Sequence, residues 1–196
     1  MRDSHGDIVW SINAFKGAPL QYCGMTLLLI LRTLYGVFFI GSGVQKIYGG
    51  WLTTDQLLQF FLRKILEFEP GSFFVFYIEY FAIPLYVPIA WIVSVGQIVL
   101  GVGLLFGLAA RMNALFALFQ FANFALGGMA FPQALPIYIL AVLFLVFPTS
   151  QWWGLDRTLG QKYPNSLFFR WFVDPLDNVL HYIWLRLAPN MNEKSN

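Results

Sequence analysis

The chain has 196 residues, 58% of them hydrophobic and 11% charged, and a formal net charge of +2 at pH 7. Soluble domains carry about 25% charged residues. At a mean hydropathy of +0.63, a chain this short cannot hide its apolar surface from water, so lipid must be the solvent for much of it.

The net charge is too small to suggest nucleic acid, and no basic patch with interleaved aromatics occurs. The one cysteine, Cys23, excludes an internal disulfide and a CxxC redox pair. His5 and His181 lie in opposite terminal segments, which argues against bis-histidine haem ligation and against a metal site.

Residues 1–24 form an N-terminal cytoplasmic or interfacial segment. They carry Asp3, His5, Asp7 and Lys16 and have no apolar stretch of the signal-peptide kind. A membrane helix needs about 20 apolar residues. Met25–Tyr48 meets this, interrupted only by Arg32 and Lys46. The insertion Trp51–Ile83 comes next. Thr53-Thr54-Asp55 is a candidate N-cap region, followed by Leu57, Leu58, Phe61, Leu62, Ile65 and Leu66 at helical spacing among Arg63, Lys64 and Glu67. This predicts an amphipathic helix in the interface, ended by Pro70-Gly71. Phe73–Ile83 is too short to span and carries Glu79; it reads as interfacial or re-entrant, packed on the bundle, with a proline-kinked extension of the second span as the rival.

Further spans are expected at Pro84–Leu108, Met112–Phe131 and Pro132–Phe147, with Arg111 in the tight turn between the second and third. The fold class expected is all-α: a polytopic four-transmembrane-helix bundle, residues 25–159, with added interfacial amphipathic helices. Residues 160–196 make an amphipathic, aromatic-rich tail, in which Pro175 favours two short interfacial helices over a fifth span. Tyr48, Trp51, Trp152 and Trp153 fit the role of interface anchors.

Four spans put both termini on one side. That side would hold Arg2, Lys16, Arg32, Arg111, Arg157, Lys162, Arg170, Arg186 and Lys194, against Lys46, Arg63 and Lys64 on the other. The positive-inside rule then places both termini in the cytoplasm.

Arg32, Gly36, Phe39, Gly43 and Lys46 are spaced +4, +3, +4, +3 and fall on one helical stripe. Its glycines permit close helix packing. Gly103 and Gly107 offer a second such face, and Asn113, Phe116, Gln120, Asn123 and Gly127 line one side of the third span. A common polar interior could thus draw on Arg32, Lys46, Gln97, Gln120 and Asn123, with Arg111 at the turn. The plainer alternative is that Arg32 and Lys46 snorkel to phosphates and that the amides only bond between helices.

The segment Leu31–Lys46, with its arginine, glycine, aromatics, glycine and lysine in that order, resembles the first helix of the DoxX/DoxD family. Gly96–Arg111, a glycine-rich helix running into an arginine turn, resembles the family's second signature, and Trp153–Arg157 resembles the ending after its fourth helix. The resemblance covers roughly 27–159. It implies a four-helix membrane bundle in a bacterial or archaeal cytoplasmic membrane. Some members are the membrane subunit of thiosulfate:quinone oxidoreductase. Many DoxX-like proteins carry glutamate where Gln97 stands here.

Three functions follow. One is a quinone-interacting subunit of an electron-transfer complex, with Arg32, Lys46, Gln97, Arg111, Gln120 and Asn123 holding the ligand. No residue in that set carries electrons, so a partner or bound cofactor is needed. Another is a non-catalytic accessory subunit of a large respiratory or photosynthetic complex, binding lipids or pigments. The last is a membrane assembly factor or chaperone. The sequence leaves catalysis itself open. Lipids and other membrane subunits are the partners expected, with no covalent cofactor implied.

Overall fold

A computed structural model describes residues 16–128, 131–163, 166–176 and 178–180. Every regular element among them is helical. The orientation expectation rests partly on Arg2, Arg186 and Lys194, which lie outside the described residues, as do His5 and His181.

Helix α1 runs Pro19–Tyr48. It starts six residues before the apolar run because Pro19, at the first helical position, already fixes a helical φ and needs no N–H partner there. The insertion contains α2, Gln56–Ile65, and α3, Phe73–Tyr77. A π-helical turn, Ile78–Ala82, continues α3. Only a short turn at Pro84 then separates it from α4, Tyr86–Phe106. The break falls where Pro84 has no N–H to carry on the helical ladder, while Ile83 before it still holds helical angles (φ −65°, ψ −51°).

Helices α5, Ala110–Leu126, and α6, Phe131–Val146, follow, then α7, Thr149–Trp152, and α8, Leu155–Lys162. A second π turn, Phe169–Val173, lies in the tail.

Helices α1 and α4 are long and apolar enough to cross a membrane. Helices α5 and α6, at 17 and 16 residues, fall below the usual length. Among the described residues two helices therefore qualify as crossings by length and composition, and the four spans expected are not confirmed.

Helices α1 and α4 are antiparallel. Gly36 lies against the Gly101 carbonyl and the Leu105 backbone, and Gly43 against the Ser94 carbonyl and Ile98. A Cβ at Gly36, Gly43 or Gly101 would come within 2.6–2.8 Å of atoms on the opposite helix. Three glycines thus let two backbones touch. Gly101 went unnoticed beside the more conspicuous Gly103 and Gly107, which have other duties. Gly103 packs on the Asn113 side chain. Gly107 caps α4 in the left-handed region, with φ 64°.

The main core gathers Tyr35 and Phe39 of α1, Leu100 and Leu104 of α4, Ala114 and Phe121 of α5, and Phe144 of α6. Two tyrosines tie the bundle across: the Tyr35 hydroxyl donates to the Ile137 carbonyl at 2.9 Å, and the Tyr138 hydroxyl donates to the Phe121 carbonyl. The insertion forms a second core, where Leu57 and Phe61 of α2 pack on Ile78, Ala82 and Ala90. Outward faces stay apolar: Leu34 on α1, Val99 on α4 and Phe119 on α5 are each about three-fifths exposed (59%, 62% and 59%).

Candidate functional site

The two cations of the α1 stripe have different surroundings. They stand 14 residues apart, about 21 Å along the axis at 1.5 Å per residue.

Arg32 is fully buried. One terminal nitrogen donates to the Thr149 carbonyl at 2.8 Å and the other to the Trp153 carbonyl at 2.9 Å. Those carbonyls belong to the turns around α7. Asp156 is close enough for its charge to act on the guanidinium. The Asp156 carboxylate also accepts from the Ala109 N–H at 2.7 Å and the Ala110 N–H at 3.4 Å, and its own N–H donates to the Gly107 carbonyl at 3.0 Å. It thereby caps α5 from a distance, where the chain offers no local cap. Gly107 lies beneath this knot, and a Cβ there would meet Arg32 at 2.9 Å and Gly154 at 2.9 Å. Arg32 is therefore engaged in closing the bundle's end.

Arg111 joins the same end, donating to the Val146 carbonyl at 3.3 Å. Trp152 packs on Phe147 with ring centres 6.1 Å apart, and Trp153 is exposed.

Lys46 behaves differently. Helical side chains point back toward the N-terminus. For Lys46, in the last turn of α1, that direction is into the bundle. Its ammonium donates to Ser42 Oγ at 2.8 Å and to Gln97 Oε1 at 3.0 Å. The Ser42 carbonyl, at 3.5 Å, is a poor third acceptor. An ammonium has three donors, so one remains for another oxygen. The Trp51 ring centre lies 5.2 Å from the ammonium, within cation–π range. Among the described residues the ion pair is Lys64–Glu67, and no carboxylate pairs with Lys46. Tyr48, two residues on, is exposed.

Gln97 is buried and Gln120 is buried on α5, where its amide stands beside Gly96. Both amide atoms of Gln120 and the Ser94 hydroxyl lack a hydrogen-bond partner, and such groups are costly to leave so. Asn123 is committed elsewhere. It accepts from the Tyr77 hydroxyl at 2.7 Å and donates to the Phe119 carbonyl at 2.8 Å, tying α3 to α5. Burial raises the pKa of the Tyr77 phenol and keeps it a donor.

The six polar residues therefore do not converge. Lys46 and Gln97 meet; Arg32 and Arg111 close the opposite end; Gln120 sits between α4 and α5; Asn123 holds the insertion. Ser42 and Ser94 were missed, though Ser42 lies one turn before Lys46 on the same stripe. Among the described residues no cluster of His, Cys, Asp and Glu could hold a metal.

Described residues that fold only into helices, two crossing-length apolar helices joined by a glycine seam, and an inward-turned cation beside it fit a helical membrane protein. The DoxX family profile matches residues 27–127, and the chain belongs to that family. The match takes in the α1 stripe, the insertion and α5 and ends before α6. No curated protein and no solved structure matches the chain significantly.

Proposed function

We propose that this DoxX-family protein is the membrane subunit of an electron-transfer complex and that Lys46 and Gln97 receive an oxygen-bearing ligand of the quinone class. The observation that carries this reading is the Lys46 ammonium, turned inward onto Gln97 with no carboxylate to neutralise it. A cation held inside a membrane bundle is costly unless it has work to do.

The residues suit a quinone carbonyl. The spare Lys46 N–H makes a charge-assisted bond to oxygen, Ser42 and Gln97 fix its direction, and Trp51 offers a ring face for stacking. A quinone would supply two-electron, two-proton redox chemistry. Electrons must come from a partner, because the chain has no metal cluster among its described residues and one exposed cysteine, Cys23.

Four crossings belong to the same proposal. Helices α5 and α6 share the main core with α1 and α4. At 1.5 Å per residue they reach about 26 and 24 Å, against a hydrocarbon core of about 30 Å. A few ångströms of mismatch are met by local thinning and flanking aromatics. Both termini then face the cytoplasm.

A decylquinone titration followed by tryptophan fluorescence tests the site. Quenching should fall sharply in Trp51→Phe, and Lys46→Ala should weaken binding about tenfold, the worth of one charge-assisted bond. Unchanged binding in Lys46→Ala would remove the site.

The tail favours a second reading, an accessory subunit docked in a larger assembly. Leu167, Trp171 and Phe172 are 71%, 69% and 51% exposed beside the small Phe169–Val173 cluster on α5. Such a patch suits another membrane subunit or ordered lipid and pigment. Removing residues 160–196 should release the protein from its assembly while leaving α1, α4, α5 and α6 folded. Retention after truncation would count against docking there.

A further inference from the structure

A cavity of about 280 Å³ lies between the loop after α1 and the start of α4. Its lining includes three aromatic residues, Trp51, Tyr86 and Trp91, together with Asp55, Thr53 and Thr54. It shares Trp51 with the proposed quinone site and backs onto the second core through Leu52, Tyr86 and Ala90, but the redox reading gives its interior no role. We propose that this cavity binds the ammonium of an aminophospholipid headgroup.

The chemistry of the walls selects a cation. Indole and phenol faces are electron-rich and attract ammonium groups, most strongly where water is partly excluded. A carboxylate on the rim adds a charge-assisted acceptor. Asp55 has one neutral partner, Gln59, whose amide donates to Oδ2 at 3.1 Å. Among the described residues no lysine or arginine pairs with it.

The place selects a lipid. Tyr86 opens α4 and Trp51 follows the end of α1, so the cavity stands where both crossing-length helices leave the bilayer. Trp91 and Val87 of its wall are also half exposed, at 52% and 48%. They begin a stripe at four-residue spacing, Val87, Trp91, Val95 and Val99, that faces outward down α4. Acyl chains can follow that stripe while the headgroup turns into the cavity. The volume agrees: at about 280 Å³ it lies just below the range for drug-sized ligands, too small for a whole lipid but adequate for a headgroup. Lys46, whose ammonium lies 5.2 Å from the Trp51 ring centre, offers a positive charge toward which a headgroup phosphate can lean.

Native mass spectrometry of the intact protein tests the proposal, using dioleoyl phosphatidylethanolamine and dioleoyl phosphatidylglycerol at equal concentration. The amine lipid should be retained at least fivefold more than the glycerol lipid. Asp55→Asn and Trp91→Ala should each cut that preference severalfold, and Trp91→Phe should keep most of it. Asp55→Asn is safe for the fold, since asparagine is as good a residue as aspartate at the start of α2. Equal retention of the two lipids, or a preference untouched by Asp55→Asn and Trp91→Ala, would overturn the proposal. Binding of soluble phosphoethanolamine as tight as that of the lipid would overturn the lipid as its source. Neither variant alters Lys46, Gln97 or Trp51, so quinone titration of the same variants separates failure of the lipid site from failure of the quinone site.

Discussion

The Lys46 ammonium and the Gln97 amide oxygen meet at 3.0 Å across the α1–α4 seam, with the lysine folded back one turn onto Ser42, away from the end of α1 that a snorkelling side chain would seek. Gln97→Glu replaces that oxygen by a carboxylate in nearly the same place. The variant should gain an internal ion pair, unfold at a higher temperature and lose about tenfold in affinity for a neutral quinone, because the cation is then satisfied. Thermal unfolding in detergent and the fluorescence titration check the two halves separately.

Arg32 should matter for stability and not for ligand affinity. Arg32→Met leaves the Thr149 and Trp153 carbonyls and Asp156 without their buried cation, and loss of one partner from a buried charge network costs about 3–5 kcal/mol. Arg32→Lys should recover only part of this, since one ammonium cannot span two carbonyls as a guanidinium fork does. Unfolding in graded denaturing detergent gives the order wild type, Lys, Met. A fully stable Arg32→Met variant would dissolve the account of that end of the bundle.

The glycine seam makes a steric prediction. Gly101→Ala puts a methyl 2.6 Å from the Gly36 carbonyl, a backbone atom that cannot swing aside. It should cost about 1–3 kcal/mol, the usual range for overpacking. Gly41→Ala, on α1 but off the seam, meets nothing within 4 Å and should be neutral or slightly stabilising through helix propensity. Comparing their unfolding midpoints separates seam from surface.

Ala109 has φ 48°, a left-handed conformation that suits glycine, and is held there by the Asp156 carboxylate. Ala109→Gly should therefore stabilise by up to about 1 kcal/mol. Asp156→Ala should destabilise by at least that much, because it strips both the α5 cap and the brace on the turn. A loss of stability in Ala109→Gly would show that the turn is not strained.

The stripe of Arg32, Gly36, Gly43 and Lys46 was legible from spacing alone, because a helix repeats every 3.6 residues whatever surrounds it. The partners were not. Arg32 bonds to carbonyls 117 and 121 residues away, and backbone oxygens carry no sequence signature. Gly101 was hidden for a related reason: what makes it a seam residue is its register against Gly36, which only the packed pair defines. The start of α1 at Pro19 was missed because hydropathy marks where lipid begins, whereas a helix needs only a favourable backbone. The amphipathic α2 was read from its pattern. The N-cap region expected at Thr53-Thr54-Asp55 is where α2 begins: Asp55 is the N-cap residue and Thr54 Oγ1 accepts from the Gln56 N–H at 3.3 Å, while the Asp55 side chain accepts from Gln59 instead.

The most direct measurement is infrared difference spectroscopy of carbonyl-labelled quinone bound to the protein and to its Lys46→Met variant. A charged donor on a carbonyl oxygen weakens the C=O bond. The account predicts one labelled carbonyl shifted to lower frequency in the wild type, with the shift lost in Lys46→Met. The same frequency in both proteins would contradict it, leaving the inward turn of Lys46 as packing between α1 and α4.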